Sequence, residues 1–406
     1  MTVRSLLSVE DALRSILEQG MPVAEREPVP LRQAAGRVLA EDLAARRTQP
    51  PAPVSAMDGY AVRAGDIATP SARLRVIGES AAGRGFDGEI GPGQAVRIFT
   101  GAPIPAGADT VLIQENARAE GCEIVAGEAS ERGRHIRPAG LDFRAGEVLL
   151  TAGRRLTASD TALAAAMNHA ALPCRRRPRA AILATGDELV SPGTEPGPDQ
   201  IVASNSFAVA AIVEEAGGSV VDLGIAADDL AVLTERFTRA RDGGADLLIT
   251  LGGASVGDHD LVQRALIRAG MTLGFWQIAM RPGKPLMHGH MGHMQILGLP
   301  GNPVSAIVCG LLFVRPLVKS LGGDRTAADD PSEPAILAAP LPANDSRQDY
   351  LRARFVRGRD GLPQAVAGSR QDSSMLKALS NAECLIIRPP HAPPAQPGDA
   401  CRVIRL

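Results

Sequence analysis

The sequence predicts a multi-domain chain of the class α/β plus β. Three observations lead to this prediction. The chain has 406 residues, which is too long for one ordinary core. Residues 179–326 alternate strand-like and helix-like segments, as in a three-layer α/β domain with a mostly parallel sheet. Residues 70–146 and 335–406 contain short strand-like runs separated by glycine and proline, which predicts a small β domain and a C-terminal barrel-like or sandwich domain.

The composition excludes several classes of function. The net charge of -2 and the 3% aromatic content leave neither a basic field nor stacking platforms for nucleic acid. We find no apolar segment long enough to span a bilayer, and the N-terminus lacks the features of an export signal. The five cysteines are odd in number and form no CxxC pair. They therefore predict reduced thiols in a cytoplasmic protein.

The N-terminal region begins with a predicted helix. Ser8 followed by acidic residues is typical of the N-terminus of a helix, and Gly20 is typical of the residue that ends one. Residues 31–43 predict a second helix or a helix-and-strand piece.

A proline-led loop follows at residues 47–66 and presents Asp58 beside Gly59. Asp58 is either a ligand-facing carboxylate or part of an Asp-Gly turn. Thr100 and Asp142 lie in the predicted small β domain. Thr100 is either a hydroxyl donor at a site or the last residue of a strand, and Asp142 is either a ligand or a turn former.

An alanine-rich helix is predicted from Thr157 to the residue before Pro173. We interpret His169, on this helix, as a structural residue. The basic run at residues 175–179 predicts a solvated link into the α/β domain.

The stretch from Asp246 to Asp260 predicts a buried strand that enters a glycine-rich loop. Gly252, Gly253 and Gly257 would let the backbone approach a ligand, because no Cβ intervenes. The same loop carries a hydroxyl and two carboxylates, at Ser255, Asp258 and Asp260. Ligands collect at the carboxyl ends of strands in open α/β sheets, and carboxylates there suit Mg²⁺. A polar strand-to-helix connection explains these residues equally well.

Two further loops favour an anion. Arg281 and Lys284 are three residues apart in the proline-stiffened sequence MRPGKP. In LPGNPVSA, Asn302 and Pro303 predict a helix N-terminus with Ser305 in its first turn. With the carboxylates of Asp187, Glu188, Asp228, Asp258 and Asp260, these groups predict phosphoryl or nucleotidyl chemistry.

Nine motifs follow one another across essentially the whole chain. They are GRVLAEDL (36–43), SAMDGYAVR (55–63), FTGAPIPAGADTV (99–111), GLD (140–142), ATGDEL (184–189), SNS (204–206), LGGASVGDHD (251–260), MRPGKP (280–285) and GLPGNPVSA (298–306). With these motifs in this order, the chain resembles the MoeA family of molybdopterin molybdenumtransferases, to which the C-terminal domain of gephyrin is related.

The resemblance implies an elongated, multi-domain subunit that forms a homodimer. It implies a helical or linker domain at residues 1–46 and 147–173, with residues 1–26 packing on the α/β domain. The small β domain would cover residues 47–146, a MogA-like α/β domain residues 174–326, and a C-terminal β domain residues 331–406. The implied reaction inserts molybdate into adenylylated molybdopterin and releases AMP, with Mg²⁺ or a similar cation.

The resemblance also implies roles for individual residues. Catalytic roles fall to Asp58, Thr100, Glu188, Asp228 and Asp260. Molybdate would be bound by Arg281, Lys284, Ser305, Arg352 and Ser373. Substrate would be bound by Asp142, Asp187, Asn205, Gly252, Gly253, Ser255, Gly257, Pro300, Gly301 and Asn302. Metal ligands would be Glu188, Asp258 and Asp260. The loop with Asp58 and the domain with Thr100 would face the partner subunit's α/β domain.

The sequence departs from the family pattern at Gln277, at Asp372 and at the residues before Asn205. Two other functions stay open: a molybdopterin adenylyltransferase of the MogA type, and a gephyrin-like scaffold. The expected partners are a second copy of the chain, the molybdopterin adenylyltransferase and molybdoenzyme chaperones, with neither nucleic acid nor a membrane.

Overall fold

The computed structural model describes residues 6–253, 261–356, 361 and 363–406. The first helix, Val9–Gln19 (α1), begins at Ser8, whose side chain accepts the Asp11 N–H, and ends at Gly20 as predicted. Its buried face packs into the same core as the sheet of the α/β domain. The N-terminal helix is therefore part of that domain's packing, although about 160 residues separate the two in the chain.

The chain after α1 is mainly extended. Arg26–Pro30 (β1) leads into a single 3₁₀ turn at Leu31–Gln33, and Leu43–Ala44 (β2) follows. A regular helix over residues 31–43 is therefore wrong, and the helix-and-strand alternative is closer. The physical reason is long-range pairing: β2 pairs with a strand at residues 148–150, and Leu39 bridges Cys174.

The small β domain is confirmed. Its strands are Val54–Ser55 (β3), Gly59–Val62 (β4), Arg73–Ser80 (β5), Gln94–Ile98 (β6), Thr110–Ile113 (β7), Ala117–Glu120 (β8), Glu123–Ala126 (β9) and Ile136–Arg137 (β10). Six of them form one sheet in the order β7-β4-β6-β5-β9-β8. Buried aliphatic side chains cover both faces of this sheet.

The return from the small β domain contains Val148–Leu150 (β11), Ala158–Ala166 (α2) and Ala171–Arg175 (β12). The predicted helix therefore ends earlier than expected. Asn168 adopts a left-handed conformation at φ 71°, and β12 then pairs antiparallel with β1.

His169 follows α2 and does not lie on it. It is buried, and its ring Nε2 lies 2.9 Å from the Ala44 carbonyl oxygen, which supports a structural role.

The basic run at residues 175–179 is more than the predicted solvated link. Arg175 donates to the Val23 carbonyl at 2.8 Å, and both terminal nitrogens of Arg176 bond the Asp246 carboxylate at 3.0 Å. These bonds attach the link to the N-terminal segment and to the start of a central strand.

The α/β domain contains the strands Arg179–Thr185 (β13), Leu189–Val190 (β14), Ile201–Val202 (β15), Ser219–Ala226 (β16), Leu247–Leu251 (β17), Thr272–Trp276 (β18), Met280–Arg281 (β19), Met287–Met291 (β20) and Met294–Leu299 (β21). Its helices are Asn205–Glu215 (α3), Leu230–Asp242 (α4), Leu261–Arg268 (α5), Pro303–Cys309 (α6) and Arg315–Leu321 (α7). The main sheet has the order β16-β13-β17-β21-β20-β18, and its first four strands are parallel.

Helices cover both faces of this sheet, which confirms the three layers. Alternate residues of β17 enter different cores: Ile249 packs with α1, α3, α6 and α7, and Leu248 packs with α4 and α5. A π-helical turn at Gly310–Val314 joins α6 to α7.

The continuous helix Pro303–Leu321 is long and apolar enough to cross a membrane, contrary to the sequence-based expectation. However, 72% of it is buried inside the fold, as in a core helix. No other helix in the part of the chain that the structure describes meets these criteria.

The C-terminal domain contains Glu333–Leu337 (β22), Gln348–Val356 (β23), Gln364–Ala367 (β24), Leu376–Ser380 (α8), Cys384–Arg388 (β25) and Ala400–Arg405 (β26). The predicted barrel is confirmed, because the pairings β23-β24-β22-β26-β25-β23 close a ring of five strands. β19 of the α/β domain pairs with β23, so the two domains share a hydrogen-bonded edge.

Candidate functional site

A cleft of about 740 Å³ opens at the carboxyl ends of three parallel strands. β13, β17 and β21 run side by side and end at Thr185, Leu251 and Leu299. The loop after each strand enters the cleft, as expected for an open α/β sheet. The predicted site residues that line it are Glu188, Asn205, Asp228, Gly252, Gly253, Pro300, Gly301 and Asn302.

Glycine is required at two points of the cleft wall. A Cβ on Gly186, whose φ is 146°, would overlap the Glu188 carboxylate. Gly252 has a φ of 96°, and a Cβ there would lie 2.6 Å from the Thr185 carbonyl oxygen. The absence of side chains at these positions brings the Glu188 carboxylate and the β17 loop close to the β13 backbone.

Carboxylates form the acidic side of the cleft. Asp228 and Glu188 line it, and Asp187 accepts the Asp228 N–H at 3.1 Å. Partial burial, together with the charges of Asp187 and Glu188, raises the pKa of Asp228. Within the described part of the chain, neither Asp228 nor Glu188 has a cationic side chain bonded to its carboxylate. This side therefore has unneutralised negative charge that a cation would relieve.

The opposite wall is built by two asparagines. Asn205, the first residue of α3, donates from Nδ2 to the Gly301 carbonyl oxygen at 2.7 Å. Asn302 is the N-cap residue of α6 and Pro303 is its first residue, as predicted. The Asn302 side chain does not cap the helix. Its Nδ2 instead donates to the Ser373 Oγ of the C-terminal domain at 3.0 Å.

The same loop of the C-terminal domain caps the helix. The Ser373 carbonyl oxygen accepts the Val304 N–H at 3.1 Å, so one of the free donors of the first turn already has a protein partner. Ser305, also in this turn, is buried and does not line the cleft.

Arg281 lies outside the cleft lining and is bonded to the C-terminal domain. Its guanidinium forms ion pairs with Asp349 and, at 3.1 Å, with Asp345. The hydrogen bond to Asp349 is the main reason why the pKa of Arg281 is raised. Lys284 is half-buried next to Pro285, which does line the cleft. Among the described residues, its ammonium group has no hydrogen-bond or ion-pair partner.

Arg352 is buried in the C-terminal domain, at 3% exposure. Its guanidinium donates to the carbonyl oxygens of Asp372 at 2.7 Å and of Arg370 at 3.2 Å. Burial lowers the pKa of Arg352. In this conformation Arg352 positions the loop that carries Ser373, and it does not face the cleft.

Asp58 and Thr100 form a pair in the small β domain. The Thr100 N–H and hydroxyl both donate to Asp58 Oδ1, at 2.7 and 2.8 Å. These two bonds lower the pKa of Asp58, with a smaller contribution from the charge of Arg97. Asp58 is therefore a half-buried, anchored carboxylate, and neither residue lines the cleft of the same subunit.

Asp142 lines a second cavity, of about 560 Å³. Gly101, next to Thr100, lines the same cavity, together with Arg47 and Arg137. These two arginines were not predicted as site residues, because nothing in their local sequence marks them.

Four predicted site residues, Ser255, Gly257, Asp258 and Asp260, lie outside the described residues. Their roles as substrate, catalytic and metal ligands stay predictions.

Three family models match consecutive parts of the chain. The MoeA N-terminal region, domains I and II, matches residues 7–168, a probable molybdopterin-binding domain matches residues 181–320, and the MoeA C-terminal region, domain IV, matches residues 334–406. The chain belongs to the MoeA family.

Relatives of known name agree with this assignment. The molybdopterin molybdenumtransferase of Haemophilus influenzae is 36% identical over 383 residues, covering 94% of both chains. The enzyme of the same name from Bacillus subtilis is 35% identical over 401 residues, covering 95% of this chain and 91% of that one. A solved structure of the molybdopterin biosynthesis MoeA protein from Pyrococcus horikoshii has a TM-score of 0.85 at 27% identity, covering 99% of this chain and all of the other.

The C-terminal domain contributes two cleft residues that were not predicted. Ser374, not its predicted neighbour Ser373, lines the cleft, and Leu376 lines it too. Asp372 accepts the Ser374 N–H at 2.8 Å and its hydroxyl at 2.6 Å. The departure at Asp372 thus closes a local turn that positions Ser374.

Proposed function

We propose that this chain is a molybdopterin molybdenumtransferase, which inserts molybdate into adenylylated molybdopterin, releases AMP and forms molybdenum cofactor. One observation carries the proposal. In a chain whose relatives bear that name, Glu188, Asp228 and Asn302 converge on one cleft at the carboxyl ends of three parallel strands. Such a cleft suits a substrate with a phosphate anhydride.

The chemistry divides between the two walls of the cleft. The acidic wall, with Glu188 and Asp228, would hold a divalent cation such as Mg²⁺, which prefers carboxylate and phosphate oxygens. That cation would supply charge neutralisation at the anhydride. The described residues contain no group of three or more His, Cys, Asp or Glu placed to bind a metal ion unaided. We therefore propose that Asp258, Asp260 and substrate oxygens complete the coordination.

Molybdate would bind near the junction with the C-terminal domain. Lys284, which lacks a partner among the described residues, would supply the positive charge, and the hydroxyl groups of Ser305 and Ser373 are proposed donors. Arg281 and Arg352 are bonded to protein oxygens, so they would contribute by holding this junction or after a change of partner.

We propose a homodimer in which each active site uses two subunits. Asp58, Thr100 and Asp142 belong to the small β domain and do not line the cleft of their own subunit. A partner subunit would bring them to it. The adenylyltransferase that makes the substrate and the chaperones that receive the product are proposed partners in the cytoplasm.

The activity is tested by supplying adenylylated molybdopterin, molybdate and Mg²⁺ and measuring AMP and molybdenum cofactor. We expect AMP release that requires molybdate. Consumption of ATP without a molybdate requirement would instead indicate an adenylyltransferase. Retention of full cellular molybdoenzyme activity by an Asp260→Ala variant would favour a scaffold.

The shared active site is tested by mixing two inactive variants, Asp58→Asn and Asp228→Asn. After subunit exchange, half of the dimers would be mixed, and each mixed dimer would contain one intact site. About a quarter of the wild-type activity should then return. Failure to recover activity, with exchange verified by mass-tagged subunits, would contradict the two-subunit site.

A further inference from the structure

A third cavity, of about 260 Å³, lies on the side of the α/β domain away from the cleft. It is formed by edge strand β16, by the second half of α4 and by the start of β13. Arg179, which lines it, is the first residue of β13, whereas Ala184 and Thr185, the last two residues of that strand, line the cleft. The cavity therefore lies near the opposite end of the strand, and no role for it follows from the proposed reaction.

Three arginines line this cavity. Arg179 comes from β13, and Arg236 and Arg239 are one turn apart on α4. Within the described part of the chain, none of the three guanidinium groups has a hydrogen-bond or ion-pair partner. Arg241, in the same turn as Arg239, is different: it bonds Asp242 at 2.9 Å and the Ala269 carbonyl oxygen.

Nearby acceptors are already used by other donors. The Asp246 carboxylate accepts hydrogen bonds from both terminal nitrogens of Arg176 and from the backbone N–H of Arg179. Asp222 is the one acidic residue in the cavity lining, and its Oδ1 accepts the Gly224 N–H at 2.8 Å.

The last carbonyl oxygens of α4 do not use these arginines as hydrogen-bond donors either. The carbonyl oxygens of Arg239, Ala240 and Arg241 accept N–H groups from Gly243, Ala245 and Gly244. Backbone donors thus satisfy the carbonyls that a C-terminal arginine would otherwise bond.

We propose that this cavity binds a small tetrahedral dianion, of which inorganic phosphate is the simplest. Three arginines against one aspartate give the lining a net charge of +2 (3 − 1). Like charges held together repel one another, and an anion among them reverses that cost. Guanidinium groups also match the geometry of tetrahedral oxyanions, to which they donate paired hydrogen bonds. The volume suits such an ion with a few waters better than a drug-sized ligand, whose pockets start at about 300 Å³.

The test is calorimetric titration of the full chain with inorganic phosphate, at constant ionic strength in sodium chloride. The variant is Arg236→Gln/Arg239→Gln, which keeps the side-chain length and removes two charges. We expect phosphate affinity to fall at least about tenfold. The matched control is Arg264→Gln/Arg268→Gln on α5, which changes the net charge equally and should leave the affinity within about twofold.

Three outcomes would overturn the proposal: absence of phosphate binding to the wild-type chain, unchanged binding by the Arg236→Gln/Arg239→Gln variant, or equal losses in both variants. The second outcome would place the anion in the cleft. Parallel titrations with sulfate and molybdate identify which dianion is preferred. A wild-type crystal soaked in tungstate should show the heavy atom between Arg236 and Arg239.

Discussion

The acidic side of the cleft and the arginines that bond the C-terminal domain outside the cleft, here called the basic side, differ in how far the protein satisfies their charges. On the acidic side, Glu188 and Asp228 face the cleft without a cationic partner among the described residues. On the basic side, Arg281 is bonded to Asp345 and Asp349, and Arg352 to backbone carbonyl oxygens. The acidic side retains its charge for a ligand, whereas the basic side uses its arginines to hold the C-terminal domain.

This difference predicts that substitutions on the acidic side reduce activity, whereas substitutions on the basic side reduce stability. A carboxylate without a cationic partner destabilises the unliganded protein. Its removal should therefore reduce activity and not stability. An arginine that satisfies buried carbonyls contributes to the fold, so its removal should cost stability first. Substitutions of Arg352 and Asp228 test the two sides of this distinction.

The largest expected effect follows from replacing Arg352 with alanine. The change removes the Arg352 donor from the Arg370 and Asp372 carbonyl oxygens, of which the second keeps the Met375 N–H at 3.3 Å, and it opens space beside them. We expect the C-terminal domain to lose roughly 3 kcal/mol of its free energy of unfolding. Urea denaturation measures the loss, and hydrogen exchange should increase in residues 370–376.

The control for this prediction is Arg354→Ala, two residues along the same strand. Arg354 is exposed and donates to one carbonyl oxygen, that of Asn381, at 2.9 Å. Its removal should cost less than about 1 kcal/mol. Equal stability losses in both variants would show that Arg352 has no special part in holding the loop.

The next prediction concerns the acidic side. An Asp228→Asn substitution removes the charge that faces the cleft but keeps the size of the side chain. If Asp228 helps to hold the cation at the anhydride, the rate of AMP release should fall by about a hundredfold, the usual order for one electrostatic group. Release of AMP at the wild-type rate would remove Asp228 from the site.

The same variant should be slightly more stable than the wild type at neutral pH. Because the folded protein raises the pKa of Asp228, ionisation of this group opposes folding, and this penalty grows as the pH rises through the folded pKa. Solvent screening limits the gain from Asp228→Asn to less than about 1 kcal/mol. Below the ordinary pKa range of aspartate the gain should vanish, and thermal unfolding at several pH values checks this dependence.

The sequence predicted the part of the site that local pattern controls. Buried apolar strands followed by glycine-containing loops placed Glu188, Gly252 and Gly301 at the carboxyl ends of parallel strands, which the sheet order then brought together. A strand and its loop are adjacent in the chain, so their relation survives without knowledge of the tertiary fold.

The partners of the arginines could not be predicted in this way. Arg281 bonds Asp349, which is 68 residues away, and nothing near either residue indicates the other. The helix predicted through residue 172 failed for the same reason, because β12 pairs with β1 almost 150 residues earlier. Long-range pairing overrides local propensity at such positions.

A moderate effect is expected at the junction of the two domains. Asn302 Nδ2 donates to Ser373 Oγ at 3.0 Å across this junction. In a double-mutant cycle with Asn302→Ala and Ser373→Ala, we expect a coupling free energy of about 1 kcal/mol. The cycle is measured by urea denaturation. Strictly additive losses would show that this hydrogen bond does not hold the domains together.

The smallest expected effect concerns Asp58 and Thr100. A Thr100→Val substitution removes the hydroxyl donor but keeps the backbone N–H, which is the larger cause of the lowered pKa of Asp58. The pKa of Asp58 should therefore rise, though not to its ordinary value. A carboxylate with a lowered folded pKa stabilises the protein above its unfolded pKa, and this stabilisation is lost as the pH falls through the folded value. In the variant this stabilisation should be smaller, and its loss should be complete at a higher pH. Carbon NMR of the Asp58 carboxyl group during an acid titration measures the shift. An unchanged pKa would mean that the Thr100 hydroxyl does not bond Asp58 in solution.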